Sequence, residues 1–236
     1  MKDLIVALDL PNADEALSLV DELGDVAAYY KVGAQLFTRE GPALIAELKD
    51  RGKRVFLDLK YHDIPHTVAR SVESAAELGV DMLTIHASGG TAMMRAARGA
   101  IGLDGPILVG VTLLTSFSGS DVEEVWDKEL RSLRDDVARL ANLAAEAGLD
   151  GVVSSALEVE ALKRRHGGDF LVVTPGIRPE GDPAGDQARV ATPASAVLAG
   201  ADYLVVGRPI HAADDPAAAF QSMMDEVAGA RALETS

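Results

Sequence analysis

Short apolar runs alternate with helix-period patterns from one end of the chain to the other. The runs cover residues 4–8, 27–30, 55–57, 82–85, 107–111, 151–153, 170–173 and 203–206. They are rich in Val, Ile and Leu and alternate little with polar residues, the pattern of parallel strands buried on both faces. Asn12 caps the first predicted helix, which carries Ala16, Leu17, Val20 and Leu23 on one stripe and stops at Gly24. Pro42 opens the next, with Leu44, Ile45 and Leu48 inward. Pro65 opens a third, with Val68, Val72 and Ala75 inward and Gly79 at its end. Thr192-Pro193 and Asp215-Pro216 are cap-plus-proline starts for the last two, and Gly148 and Gly200 are helix stops. Eight β-then-α units in this length predict a (β/α)8 barrel, with residues 1–236 as one domain. An open doubly wound sheet is the structural alternative, but it seldom needs eight such even repeats.

Nearly every apolar run ends in a polar residue or a Gly/Pro turn. Asp9, Lys31, Asp58 with Lys60, His86, Thr112 with Thr115, Ser154, Thr174-Pro175-Gly176 and Gly207-Arg208 follow the eight runs in order. In a barrel these strand ends ring one mouth, where such folds place their chemistry. Two connections are long enough to act as lids. One spans residues 116–133, with a short acidic helix opened by Ser120 and Glu123. The other spans residues 175–191 and is rich in Gly, Pro and Asp.

Composition narrows the partners. A formal net charge of −15 argues against nonspecific binding to nucleic acid or anionic membrane, and an anionic substrate would need a locally basic pocket. The chain has no cysteine, which excludes disulfides and thiolate metal sites. Met1-Lys2-Asp3-Leu4 runs straight into a strand and is not a signal peptide. No apolar run approaches the roughly 20 residues of a membrane span. A cytoplasmic protein is expected.

The densest chemistry lies in Val55-Phe56-Leu57-Asp58-Leu59-Lys60-Tyr61-His62-Asp63-Ile64-Pro65. Side chains two apart on a strand share a face, so Asp58 and Lys60 point together. Charges at the end of an apolar strand are unfavourable unless they pair or do chemistry. His62 and His66 straddle Pro65 and have no evident third ligand, so they are not read as a metal site. Met93-Met94 and Trp126 are read as packing residues.

The chain resembles the orotidine 5′-monophosphate decarboxylase family. The resemblance rests on Ala7-Leu8-Asp9, Tyr30-Lys31-Val32-Gly33, residues 56–68 with their Asp-x-Lys-x-x-Asp core, Val111-Thr112-Leu113-Leu114-Thr115-Ser116, Thr174-Pro175-Gly176-Ile177-Arg178, Gln187, and Val206-Gly207-Arg208-Pro209-Ile210. It implies a metal-free and cofactor-free decarboxylase in pyrimidine biosynthesis. In that pattern Lys31, Asp58, Lys60 and Asp63 form the catalytic array. Lys60 stabilises and protonates the carbanion left at pyrimidine C6, and Asp58 sits against the departing carboxylate. Asp9 and Lys31 contact the ribose, and Thr115 the pyrimidine. Arg178, Gln187, Gly207 and Arg208 hold the phosphate, with Gln187 bridging towards the base, and Pro175 is a further substrate-binding residue. Asp63, Ile64 and Thr67 are expected to serve the partner's site in a homodimer, although Asp63 could equally cap its own helix.

Two rivals stand beside this reading. Magnesium-dependent relatives, such as hexulose-6-phosphate synthase, share Asp-x-Lys-x-x-Asp but are similar in using an acidic residue where this chain has Lys31. A non-catalytic phosphate-binding barrel is the other, disfavoured because a mere binder has no use for carboxylates facing an anionic ligand.

Overall fold

Eight parallel strands close on themselves in chain order, with β1 returning to β8, in a computed structural model that describes residues 3–127, 132–179 and 190–234. The strands are β1 (Asp3–Ala7), β2 (Tyr29–Gly33), β3 (Arg54–Tyr61), β4 (Met82–His86), β5 (Ile107–Val111), β6 (Gly151–Val153), β7 (Leu171–Thr174) and β8 (Tyr203–Val206). The outer ring is α1 (Ala13–Leu23), α2 (Ala34–Glu40), α3 (Pro42–Asp50), α4 (Pro65–Glu77), α5 (Gly90–Ile101), α6 (Gly119–Trp126), α7 (Leu133–Glu146), α8 (Ala156–His166), α9 (Pro193–Leu198), α10 (Arg208–His211) and α11 (Pro216–Glu234). The expected (β/α)8 barrel is therefore present.

Strand parity sorts the core into two. Ile5, Ala7, Tyr29, Phe56, Met82, Val109, Leu171, Val173, Tyr203 and Val205 form a cluster inside the barrel. Their alternate neighbours, among them Val6, Tyr30, Leu57, Leu83, Val172 and Leu204, pack outward with the helices. Continuing the inward parity toward the strand ends gives Lys31 on β2, Asp58 on β3 and Thr84 on β4, so the rule that fills the core also lines the mouth.

A repeated clamp fastens the opposite end. Gly79-Val80-Asp81, Gly148-Leu149-Asp150 and Gly200-Ala201-Asp202 each end a helix and enter a strand, with glycine φ values of 75°, 82° and 97°. Only glycine adopts such angles readily, so the chain reverses there without strain. The three middle residues are buried. Each aspartate donates its own N–H to the carbonyl of Val55, Leu108 or Val172 and accepts that residue's N–H on its carboxylate, at 2.7, 2.7 and 2.8 Å. A helix cation pairs with each: Lys49 with Asp81, Arg98 with Asp150, and Lys163 with Asp202.

The caps at Asn12, Thr192 and Asp215 accept the N–H groups expected of them. Other boundaries differ from the sequence expectation. β2 begins at Tyr29 and contains Lys31, because Ala27 precedes the pairing with β3. β3 continues to Tyr61, since Asp58 still pairs with Gly33 of β2 and Tyr61 with Ile85 of β4. The helix in the 116–133 connection is capped by Ser118, in a reciprocal box with Asp121, and not by Ser120 with Glu123. α2 was not expected; it buries only Leu36 and turns at Gly41 (φ 64°) directly into α3. Met93 and Met94 are core residues, whereas Trp126 is 43% exposed with its ring edge-on to Phe117.

Candidate active site

The mouth of the barrel opens into a cavity of about 580 Å³. Phe56, Val153, Val173 and Val205 give it an apolar floor. Asp9, Lys31, Asp58 and Lys60 line one side, and Pro175, Gly176, Arg178, Gly207, Arg208 and His211 line another. Leu113, Leu114, Thr115 and Ser116, after β5, complete the rim.

The charged side is a chain of pairs. The Lys31 ammonium lies 2.8 Å from Asp9 Oδ1 and 3.7 Å from Asp58 Oδ2. The Lys60 ammonium lies 2.8 Å from the same Asp58 Oδ2. Gly33 leaves room for this: a Cβ there would sit 3.2 Å from Lys31 Nζ and 3.4 Å from Asp9 Oδ1. Lys31 and Asp58 are each 8% exposed, while the Lys60 side chain keeps 35% of its surface open to the mouth. Burial pushes the Asp58 carboxyl up, but Lys60, Lys31 and hydrogen bonds from Lys60 and Thr84 outweigh it and hold the group below its ordinary range. Asp58 is therefore ionised at neutral pH and is shared by two cations.

Backbone geometry aims Lys60. Its φ is 52°, a left-handed conformation rare outside glycine. The register between β3 and β4 slips between Leu57 and Tyr61, so Lys60 sits in a bulge. Its N–H donates to Thr84 Oγ1 at 2.8 Å, and that hydroxyl donates to Asp58 Oδ1 at 3.0 Å. Thr84 is fully buried. His86, two residues on, stacks against His62 with ring centroids 5.3 Å apart. Burial, then His62 and Lys60, push His86 down against the opposing pull of Asp58, so it is neutral at pH 7. His62 thus packs against the His86 ring.

The opposite wall is cationic. Arg178 follows β7 and is buried, donating Nη1–H to the Ile177 carbonyl at 2.9 Å. Arg208 opens α10 immediately after Gly207, where an added Cβ would lie against Ala7 and Asp9 at 3.5 and 3.6 Å. Burial drives His211 below its ordinary pKa; Asp9 opposes this, and Arg208 and Arg178 reinforce it. A chain of net charge −15 therefore keeps a local basic wall suited to an anion. The carboxylates at the mouth do not make a ready divalent site, because the Lys31 ammonium lies between Asp9 and Asp58.

Of the sequence-predicted residues, Asp9, Lys31, Asp58, Lys60, Thr115, Pro175, Arg178, Gly207 and Arg208 all line this cavity. Asp63, Ile64 and Thr67 do not; they are exposed beside it, Ile64 at 65%. Asp63 does not cap α4: the capping position is Ile64, and Asp63 Oδ1 accepts only the adjacent Ile64 N–H at 2.6 Å. Gln187 lies outside the described residues. Thr84 and His211 were missed. Strand parity on β4 could have found Thr84; His211 had no signal beyond its nearness to Arg208.

Comparison with known proteins follows the same residues. The sequence profile of the Orotidine 5′-phosphate decarboxylase / HUMPS family matches residues 2–223. An orotidine 5′-phosphate decarboxylase of Sodalis glossinidius is 50% identical over 227 residues, covering 95% of this chain and 89% of that protein. One from Actinobacillus succinogenes is 51% identical over 223 residues, covering 93% and 95%. The crystal structure of the orotidine 5′-phosphate decarboxylase from Lactobacillus acidophilus superposes with a TM-score of 0.85 at 38% identity, covering 96% of this chain and 99% of that one.

Proposed function

Because the chain belongs to the orotidine 5′-phosphate decarboxylase/HUMPS family, its reaction is the conversion of orotidine 5′-monophosphate to uridine 5′-monophosphate and CO2, the last step of de novo pyrimidine biosynthesis, and we propose how its residues carry this out. The observation that carries the proposal is the Lys31–Asp58–Lys60 array at the cavity mouth. The C6–carboxylate bond breaks heterolytically and CO2 leaves with the electron pair kept on C6. The Lys60 ammonium stabilises that pair by charge and then delivers a proton to C6, after which solvent reprotonates the amine. Asp58 keeps Lys60 oriented and meets the substrate carboxylate, a repulsion that ends as CO2 departs. Asp9 and Lys31 hold the ribose, and Thr115 meets the base. Arg178, Arg208 and the Gly207 backbone take the phosphate, Pro175 is a further substrate contact, and Gln187 is assigned to the phosphate as well. Binding energy at the phosphate, remote from C6, supports the reacting geometry.

The active unit is a homodimer of single-domain chains. Asp63, Ile64 and Thr67 are exposed and do not line their own cavity, and an exposed isoleucine beside a carboxylate suits a neighbour's site. The location is cytoplasmic, because both nucleotides are charged and do not cross membranes unaided. Among the described residues no helix is long and apolar enough to cross one either. Of the family's two branches, the magnesium-dependent one is disfavoured by the Lys31 ammonium between Asp9 and Asp58.

The test follows loss of orotidine-monophosphate absorbance by purified protein in the presence of EDTA. Turnover in chelator, nearly abolished by Lys60→Ala, is the expected result. Near-normal turnover in Lys60→Ala refutes the role of Lys60, and activity lost to EDTA and restored by Mg²⁺ returns the chain to the metal-dependent branch.

A further inference from the structure

The Thr84 side chain faces inward and touches both Asp58 and Lys60, yet does not line the cavity. A hydroxyl has one hydrogen to give and two lone pairs to receive. Here the hydrogen goes to Asp58 Oδ1 and a lone pair takes the Lys60 N–H. In a regular parallel ladder a backbone carbonyl of the next strand would take that N–H. The register slip between β3 and β4 removes the regular pairing at this point, and Thr84 Oγ1 supplies the acceptor. The same atom settles how the Asp58 carboxylate is turned. With Oδ1 engaged by Thr84, Oδ2 faces both ammoniums.

We propose that Thr84 is a positioning residue for decarboxylation. Its hydroxyl sets the rotation of the Asp58 carboxylate and the left-handed backbone of Lys60 at once, so that the two catalytic groups are aimed by one buried atom. The proposal rests on the decarboxylase reading above and deepens it. Thr84 makes no contact with substrate in this scheme; it acts through its two neighbours. A valine at this position keeps the shape but removes donor and acceptor together. Asp58 Oδ1 then loses a hydrogen bond to a charged group, and the Lys60 N–H is left without a partner in a buried bulge. Misaiming of this kind lowers the rate of the chemical step more than it lowers binding, because the phosphate and ribose contacts are remote from it.

The experiment compares wild type, Thr84→Val and Thr84→Ser in the same absorbance assay, with uridine-monophosphate binding and thermal melts measured on each. Thr84→Val is expected to lower kcat roughly ten- to a hundredfold, with KM and product affinity changed by less than about threefold. The acid limb of its kcat profile should move to higher pH, as the ionised Asp58 loses a donor. Thr84→Ser, which keeps the hydroxyl, should restore both kcat and the limb. Should Thr84→Val melt below the assay temperature, Thr84→Cys takes its place, keeping the volume with only a weak S–H donor, and the same split is expected. Wild-type kcat in the folded Val or Cys variant overturns the proposal, as does a Ser variant no better than Val. Inactive wild-type protein would instead refute the decarboxylase reading, so the two failures are distinguishable.

Discussion

Replacing Asp202 by alanine should unfasten the closed end of the barrel without touching the mouth. The carboxylate does two jobs: it accepts the buried Val172 N–H at 2.8 Å and pairs with Lys163 Nζ at 2.5 Å. Removing one partner of a buried ion pair destabilises by about 3–5 kcal/mol, and a buried unpaired N–H by about 1–3 kcal/mol. These figures overlap because they describe one site, so they do not add. Lys163 also keeps the carbonyls of Gly168 and Phe170, at 3.1 and 2.9 Å, and the two side chains of the pair retain 16% and 13% of their exposure. The low end, about 3 kcal/mol, is therefore the expected loss, equivalent to about 6–12 °C in melting temperature for a chain of this size. Asp202→Asn keeps an acceptor for Val172 and loses only the charge, so about 1–2 kcal/mol is expected. Melts followed by circular dichroism read the stability, and kcat at 25 °C reads the site. Melting within about 2 °C of wild type refutes the clamp. A reduced kcat in a variant that melts normally refutes the separation of clamp from mouth.

Three further outcomes follow from the site. Arg208→Ala should raise KM for orotidine monophosphate by roughly ten- to a hundredfold through the lost charge-assisted phosphate contact, and an unchanged KM contradicts that placement. Lys60→Ala and Asp63→Ala chains, each inactive alone, should regain activity when mixed, because one site of the hybrid dimer receives both intact residues; verified chain exchange with no recovery means self-contained sites. The Asp58 carboxyl is held below its ordinary value of 3.8, so its contribution to stability is present above that pH and is lost as pH falls through the folded-state pKa. The stability gap between wild type and Asp58→Asn, from urea midpoints, should be full at about pH 6 and narrow as pH falls below about 4. A gap that widens on acidification reverses the sign and refutes the ionised, doubly paired Asp58.

Local signals made much of this molecule legible. Apolar runs located all eight strands, and Asn12, Thr192 and Asp215 marked helix starts through bonds three residues long. Strand-end polarity located nine cavity residues, because a barrel brings every such end to one face. Failures came where pairing between distant segments decides. The extent of β3 depends on partners at Gly33 and Ile85, which no window around residue 58 contains. The left-handed turn at Lys60 and its bond to Thr84 arise from a slip between two strands, and nothing in the lysine's neighbours announces it. Gly79, Gly148 and Gly200 read as helix stops, but the aspartates two residues on mean something only once Val55, Leu108 and Val172 lie opposite them. At Ser118, two serines two residues apart left the choice to the geometry of Asp121.

The positive φ of Lys60 bears on how this enzyme could be engineered. A non-glycine residue in that conformation is disfavoured by roughly 1–2 kcal/mol, a penalty that glycine escapes and asparagine feels less. Glycine or asparagine at position 60 relieves that strain but strips the buried Asp58 of its partner at 2.8 Å, so a library selected solely for heat resistance weighs these two terms against each other and is blind to turnover. Selection for robustness must hold this codon fixed, or screen for turnover in the same round.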